Sequence, residues 1–239
     1  MSRRLVACAT LWLCVAGANA DTLPLPDNLT GFSTHDGEVY FSESDAHEAY
    51  FPLASNFLTQ KTQSYCGVAS MVMVLNALGV PAPVVPEYAP YRTFTQDNVL
   101  SERTDAVLPR EIIARQGMTL DQLGGILATQ PVKAEVHHAS DSSVDEFRKL
   151  ASAYLREPGR FVIVNYLRKA LGEQLGGHIS PLAAYDGKVD RFLILDVARY
   201  KYPPVWVKTT DMFAAMNTPD AANDNKTRGF VLVTAATGQ

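Results

Sequence analysis

Between Phe161 and Leu167 the chain runs Phe-Val-Ile-Val-Asn-Tyr-Leu, apolar at every position but Asn165. A run of that length and β-branched content, closed by Pro158-Gly159 before it, is a strand with both faces covered, in the interior of a sheet. An interior strand needs a neighbour on each side and a layer on each face, so the rest of the chain must supply them. Downstream, His178 to Tyr185, Arg191 to Val197, Tyr202 to Lys208 and Gly229 to Thr234 read as further strands, with Asp186-Gly187 as a turn. Upstream the period changes to that of helices. Val68, Met71, Val72, Leu75 and Leu78 fall three and four apart and predict one apolar face, stopped by Gly79 and Pro81. Thr119 with Gln122, and Ser143 with Glu146, have capping-box spacing and predict two more helices, the first through Leu127 and the second carrying Phe147, Leu150, Ala151, Tyr154 and Leu155. The stretches from Asp21 to Lys61 and from Pro81 to Pro109 show few helix signals and read as irregular. Helices first and antiparallel strands second give an α+β fold, with the sheet against the helix that follows Cys66.

No internal repeat and no Gly/Ser-rich linker divides the chain, so residues 21–239 are expected to form a single catalytic domain. With 47% hydrophobic and 19% charged residues, the chain has enough apolar surface for a core of this size and is not of the disordered class. Lysines and arginines are scattered singly under a net charge of −4, which leaves no basic stripe for a nucleic-acid backbone. The oligomeric state is not legible; a homodimer is compatible with the sequence.

Residues 1–20 have the form of a cleaved export signal: Arg3 and Arg4, an apolar run from Leu5 to Ala16, and Ala18-Asn19-Ala20 ahead of Asp21. The run is too short to span a bilayer. Bulky Leu11-Trp12-Leu13 before Cys14 argues against a lipid anchor. The expected mature chain is periplasmic, has 219 residues and a net charge of −6, and of the three cysteines keeps only Cys66.

A single thiol cannot join an intramolecular disulfide, and outside the reducing cytosol a free thiol without a use is a liability. Cys66 directly precedes the helical pattern, where backbone N–H groups and the positive end of the helix dipole favour a thiolate. Of His35, His47, His137, His138 and His178, only His178 opens a strand beside a carboxylate suited to orient it. A hairpin centred on Lys188 sets residue 178 opposite 198 and makes Asp196 the diagonal neighbour on the same face. A slip of one residue would part them. An acyl transfer also needs oxyanion donors; the N–H of Cys66 is one by position, and Gln60 or Gln63 could supply the other. Adjacent His137 and His138 point to opposite faces of a strand, and no metal site is expected there.

The strings QKTQSYCGVASMVMVLNALG from Gln60, GGHISPLAAYD from Gly176, LILDVARYKYPPVWV from Leu193 and RGFVLV from Arg228 resemble the phytochelatin synthase family. The resemblance implies a papain-like cysteine peptidase fold and an acyltransferase acting on glutathione. It further implies Cys66 as nucleophile, His178 as general acid/base, Asp196 as its orienter and Gln60 rather than Gln63 as the oxyanion donor. Arg228 is then expected to pair with a substrate carboxylate and Arg199 to help organise the acyl site. No tightly bound cofactor is implied; heavy-metal ions such as cadmium or zinc enter as thiolate complexes of glutathione. The cysteine-rich C-terminal region of plant and yeast members has no counterpart in these strings, so their metal-responsive tuning is not expected here. Ile179 stands where plant members usually carry an aromatic residue. Two competing readings are a leader-processing peptidase with the same Gln and Cys-Gly, and an exported thiol or metal-binding protein without turnover.

Overall fold

The computed structural model describes residues 22–236, so the export signal read over residues 1–20, with Cys8 and Cys14, lies outside the described residues. In chain order the elements are β1 (Thr30–Gly31), α1 (His35–Glu43), α2 (Tyr50–Ser55), α3 (Cys66–Ala77), α4 (Glu102–Asp105), α5 (Arg110–Gln116) and α6 (Leu120–Leu127). They continue as β2 (Val132–His138), α7 (Val144–Leu155), β3 (Arg160–Leu167), β4 (Gly177–Asp186), β5 (Arg191–Ile194), β6 (Val205–Lys208), α8 (Thr209–Met216) and β7 (Gly229–Ala235). The strands form one antiparallel sheet in the order β1-β6-β5-β4-β3-β7-β2. The apolar run is its interior strand β3, flanked by β4 and β7, with Phe161 through Tyr166 all buried. This is a mixed α+β arrangement around a single sheet.

Several expectations need correction. The stretch from Asp21 to Lys61 is not irregular: it contains α1 and α2. The start of α1 is set by Thr34, whose hydroxyl accepts the Gly37 N–H at 3.2 Å, and by Asp36 and Glu38 in the first turn. These are end signals, and a helix whose only fully buried residue is Gly37 has no apolar stripe to reveal it. Nor are helices and strands fully segregated, because β2 precedes α7 and pairs with the last strand at the sheet edge. The second region read as irregular holds α4.

The helix after Cys66 is buried on all sides from Cys66 to Leu75, rather than along one face. Its end follows the expectation: Gly79 takes a φ of +66°, and the N–H groups of Gly79 and Val80 return to the carbonyls of Asn76 and Leu75. The helix rests on β4 through Ser70, whose hydroxyl donates to the Ile179 carbonyl at 3.1 Å as well as to Cys66. Thr119 and Gln122 make the full reciprocal box. Ser143 caps α7 through the Glu146 N–H, but Glu146 turns its carboxylate to the Ser142 hydroxyl, so only half of that box forms. Phe147 of α7 meets Phe192, Phe213 and Phe230 with ring centroids 5.1, 6.3 and 5.1 Å apart, which joins α7 and α8 to the sheet.

At the β7–β2 pairing Gly229 admits no side chain, since a Cβ there would lie 2.0 Å from the His137 carbonyl oxygen. Backbone on both sides cannot yield cheaply. Gly229→Ala is expected to destabilise the fold by about 3 kcal/mol, at the upper end for overpacking, as read by thermal or urea unfolding.

Candidate active site

Cys66 is the first residue of α3, and its thiol is buried. The Sγ sits against the His178 ring and the N–H groups of Ile179 and Gly67. Burial pushes the thiol up, but the hydrogen bond and charge of His178, with the two backbone N–H groups, outweigh it and leave the thiol below its usual range. His178 Nε2 donates to Asp196 Oδ1 at 2.8 Å and also lies 2.9 Å from the Ser180 hydroxyl. The ring nitrogen left for Cys66 is therefore Nδ1. Burial opposes a charge on His178, yet Asp196 and Cys66 raise it above an ordinary imidazole despite the opposing Arg168. Burial would likewise raise Asp196; the His178 and Arg168 cations override this and hold its carboxyl at about 2. The three groups thus favour a thiolate, an imidazolium and a carboxylate in one buried row.

The register that unites His178 and Asp196 is not a plain hairpin. Near the turn Asp186 faces Arg191, Tyr185 faces Phe192 and Ala184 faces Leu193, pairs centred between Lys188 and Val189 and not on Lys188. Continued to the strand ends, that register would set Asp196 across from Pro181, on the face opposite to His178. An extra residue on β4, Ala183, shifts the pairing to Leu182 with Ile194, so that 180 comes opposite 196 and 178 opposite 198. The bulge therefore produces the expected diagonal, by a route the turn alone does not give. The Leu195 N–H on the Pro181 carbonyl at 3.1 Å continues the shifted register beyond the end of β5.

A cavity of about 210 Å³ opens over Cys66 and His178. Gln63, Ile112, Met118, Asn165, Gly177, Asp220 and Arg228 are among its walls. Arg228 is buried and its Nη1 donates to the carbonyl oxygens of Pro219 and Thr218 and to the Thr218 hydroxyl, with Asp220 Oδ1 3.5 Å from Nη2. Its Nε is buried without a partner beside Gly177. A second hollow of about 150 Å³ shares Gln63, Gly177 and His178 with the first and has Gln60, Arg168, Tyr200 and Lys201 among its other walls.

Gln60 is buried, its backbone N–H bound to the Val197 carbonyl at 2.8 Å, one residue beyond Asp196. Its side-chain amide donates to the Thr62 carbonyl at 2.7 Å and the Tyr200 hydroxyl at 3.1 Å, while Oε1 has no partner. Gln63 borders both hollows. Arg199 is not brought to the site: it is exposed, with its guanidinium 4.7 Å from the centre of the Phe57 ring and in the wall of neither hollow. His137 stacks on Phe230, and His138 is held by Asp121 and the Thr227 carbonyl.

Sequence reasoning missed Arg168, Glu173, Ser180 and Asn165. Arg168 donates to both oxygens of Asp196 at 2.9 and 2.7 Å and to Glu173 Oε2 at 2.5 Å. The only hint was a charge placed directly after an interior strand. Ser180 shares the face of His178 two residues on, a spacing the strand reading already contained.

A model of the phytochelatin synthase family matches residues 20–230. Glutathione gamma-glutamylcysteinyltransferase 1 of Lotus japonicus is 35% identical over 92% of this chain and 43% of its own length. The protein of the same name from Arabidopsis thaliana is 32% identical over 92% of this chain and 44% of its own. Glutathione gamma-glutamylcysteinyltransferase of Schizosaccharomyces pombe is 29% identical over 87% and 50%. The chain thus spans less than half the length of these plant relatives. No described helix is long and apolar enough to cross a membrane. The family match covers the α3 start, the β4–β5 bulge and Arg228 alike, and on that extent the chain belongs to the phytochelatin synthase family.

Proposed function

We propose that the protein is a glutathione γ-glutamylcysteinyltransferase and hydrolase. The observation that carries this reading is the buried row of Cys66, His178 and Asp196 at the floor of a cavity that also holds Arg228. The Cys66 thiolate attacks the carbonyl of the Cys–Gly bond of glutathione. His178 delivers its proton to the departing glycine nitrogen, and Asp196 keeps the ring aimed while that proton moves. Oxyanion donors are the Cys66 N–H and the Gln60 amide; the bond to the half-exposed Tyr200 hydroxyl is the one a substrate oxygen would replace. A γ-glutamylcysteinyl thioester remains on Cys66. Water then gives γ-glutamylcysteine, whereas the α-amine of a second glutathione gives a phytochelatin.

Hydrolysis is expected to dominate, because transfer requires an acceptor bound well enough to exclude water. Heavy metals take part as glutathione thiolate complexes, that is, as substrate. In this reading residues 21–239 act as one catalytic unit with a papain-like layout, nucleophile at a helix start and His and Asp on the sheet. The signal over residues 1–20 delivers it to the periplasm. Incubation with glutathione, with and without cadmium, should release glycine with γ-glutamylcysteine in excess over longer oligomers by mass spectrometry. Glutathione left intact under both conditions would overturn the proposal.

Arg228 is assigned to a substrate carboxylate. It lines the cavity, is buried and anchored by three oxygens through Nη1, with Asp220 beside Nη2 and Nε without a partner. Arg228→Ala should raise KM about 30-fold, equivalent to about 2 kcal/mol for a hydrogen-bonded charge, with a smaller effect on kcat. Steady-state glycine release measures both.

A further inference from the structure

Behind the Cys66–His178–Asp196 row lie two buried charges that the proposed reaction does not use. Arg168 and Glu173 are 2% and 1% exposed in their side chains, against 0% for Asp196. The guanidinium divides its donors, Nη2 to both Asp196 oxygens and Nη1 to Glu173 Oε2. It lies 5.2 Å from the centre of the Tyr202 ring, and the Tyr202 hydroxyl accepts the Gln174 N–H at 2.8 Å, so the turn carrying Glu173 is clamped around Arg168. Gly172, at a φ of +82°, lets that turn close.

Charge therefore alternates along one chain of contacts: Glu173, Arg168, Asp196, His178, Cys66. Arg168 and His178 share the same carboxylate. Taken alone, the guanidinium opposes a proton on the imidazole and competes for the oxygen that orients it. The other titratable groups facing this chain are Tyr166 from β3 and Tyr200 from the segment after Asp196, with Lys201 in the wall of the second hollow. None of these is an anion paired with Arg168.

We infer that Glu173 is a positioning residue for the Cys66–His178 pair, acting through Arg168 and Asp196: its carboxylate neutralises the guanidinium, so that Asp196 is left to hold the imidazolium. Burial sets Glu173 above an ordinary carboxyl even against the Arg168 charge.

The test follows the His178 ring proton by NMR as pH is varied, with no glutathione present. Failure of the proposed reaction and failure of this inference are therefore separable. Glu173→Gln keeps the size and one acceptor for Nη1 but removes the charge. It should lower the His178 midpoint by about one unit. Glu173→Asp, which keeps the charge, should leave it in place. An unchanged midpoint in Glu173→Gln, or an equal fall in both variants, would overturn the inference. If Glu173→Gln does not fold, the unmodified protein decides: the His178 resonance should show, besides any inflexion from Asp196 at about 2, a further one above it as Glu173 takes up its proton, and the absence of that further inflexion would be contrary.

Discussion

Cys66→Ser should release glycine from glutathione at least about 10⁴-fold more slowly than the unchanged protein, while melting at the same temperature. The substitution exchanges sulfur for a smaller oxygen at a site already backed by polar contacts, the His178 ring and two backbone N–H groups, so packing is barely disturbed. What disappears is the ready thiolate. The surroundings that bring a thiol below its usual range cannot bring an alcohol within reach of His178 as a resting anion. Glycine release and a thermal melt on the same sample separate lost chemistry from lost fold. Undiminished release would remove Cys66 from the reaction.

Asp196→Asn is the second large effect, and it acts on activity and stability together. The asparagine can still meet His178, but in the wrong tautomeric sense, and the imidazolium loses its counter-charge. A fall of about 10³ to 10⁴-fold in kcat is expected, with a residue of activity through a misaimed ring. His178→Ala should abolish acylation altogether. The Asp196→Asn change would also leave Arg168, a buried side chain, with one carboxylate instead of two. Breaking one partner of such a buried pair costs about 3–5 kcal/mol, so this variant should melt well below Cys66→Ser. Full activity in Asp196→Asn would show that the β4–β5 bulge does not deliver the carboxylate to the ring as described.

The parts of the fold legible in the sequence were those with a period or a paired end signal. The run at 161–167, the α3 repeat stopped by Gly79, and the Thr119–Gln122 box all appear where their patterns fall. Helices α1 and α2 were not legible, because they are short and rest on the Thr34 cap of α1 and on local aromatic packing such as Phe41 against Tyr50, which leave no periodic trace. The site was legible where one residue type carries the chemistry: a lone thiol at a helix start and a histidine opening a strand. Its support was not. Arg168 meets Asp196 across separate elements and Glu173 reaches it only through Arg168, and nothing in the spacing of 168 and 196 records a contact that only the closed sheet creates. The Ala183 bulge is equally silent, since one extra alanine in an apolar strand alters no pattern. Arg199 shows the converse: its neighbours in the DVARYK string lie at the site, but its own side chain turns outward onto Phe57.

Quenching the protein with acid within its first turnovers on glutathione, then measuring its intact mass and peptide map, shows whether Cys66 carries the acyl group. One γ-glutamylcysteinyl group on Cys66 is expected, with one equivalent of glycine released alongside it. Glycine appearing in that burst with Cys66 unmodified would contradict this.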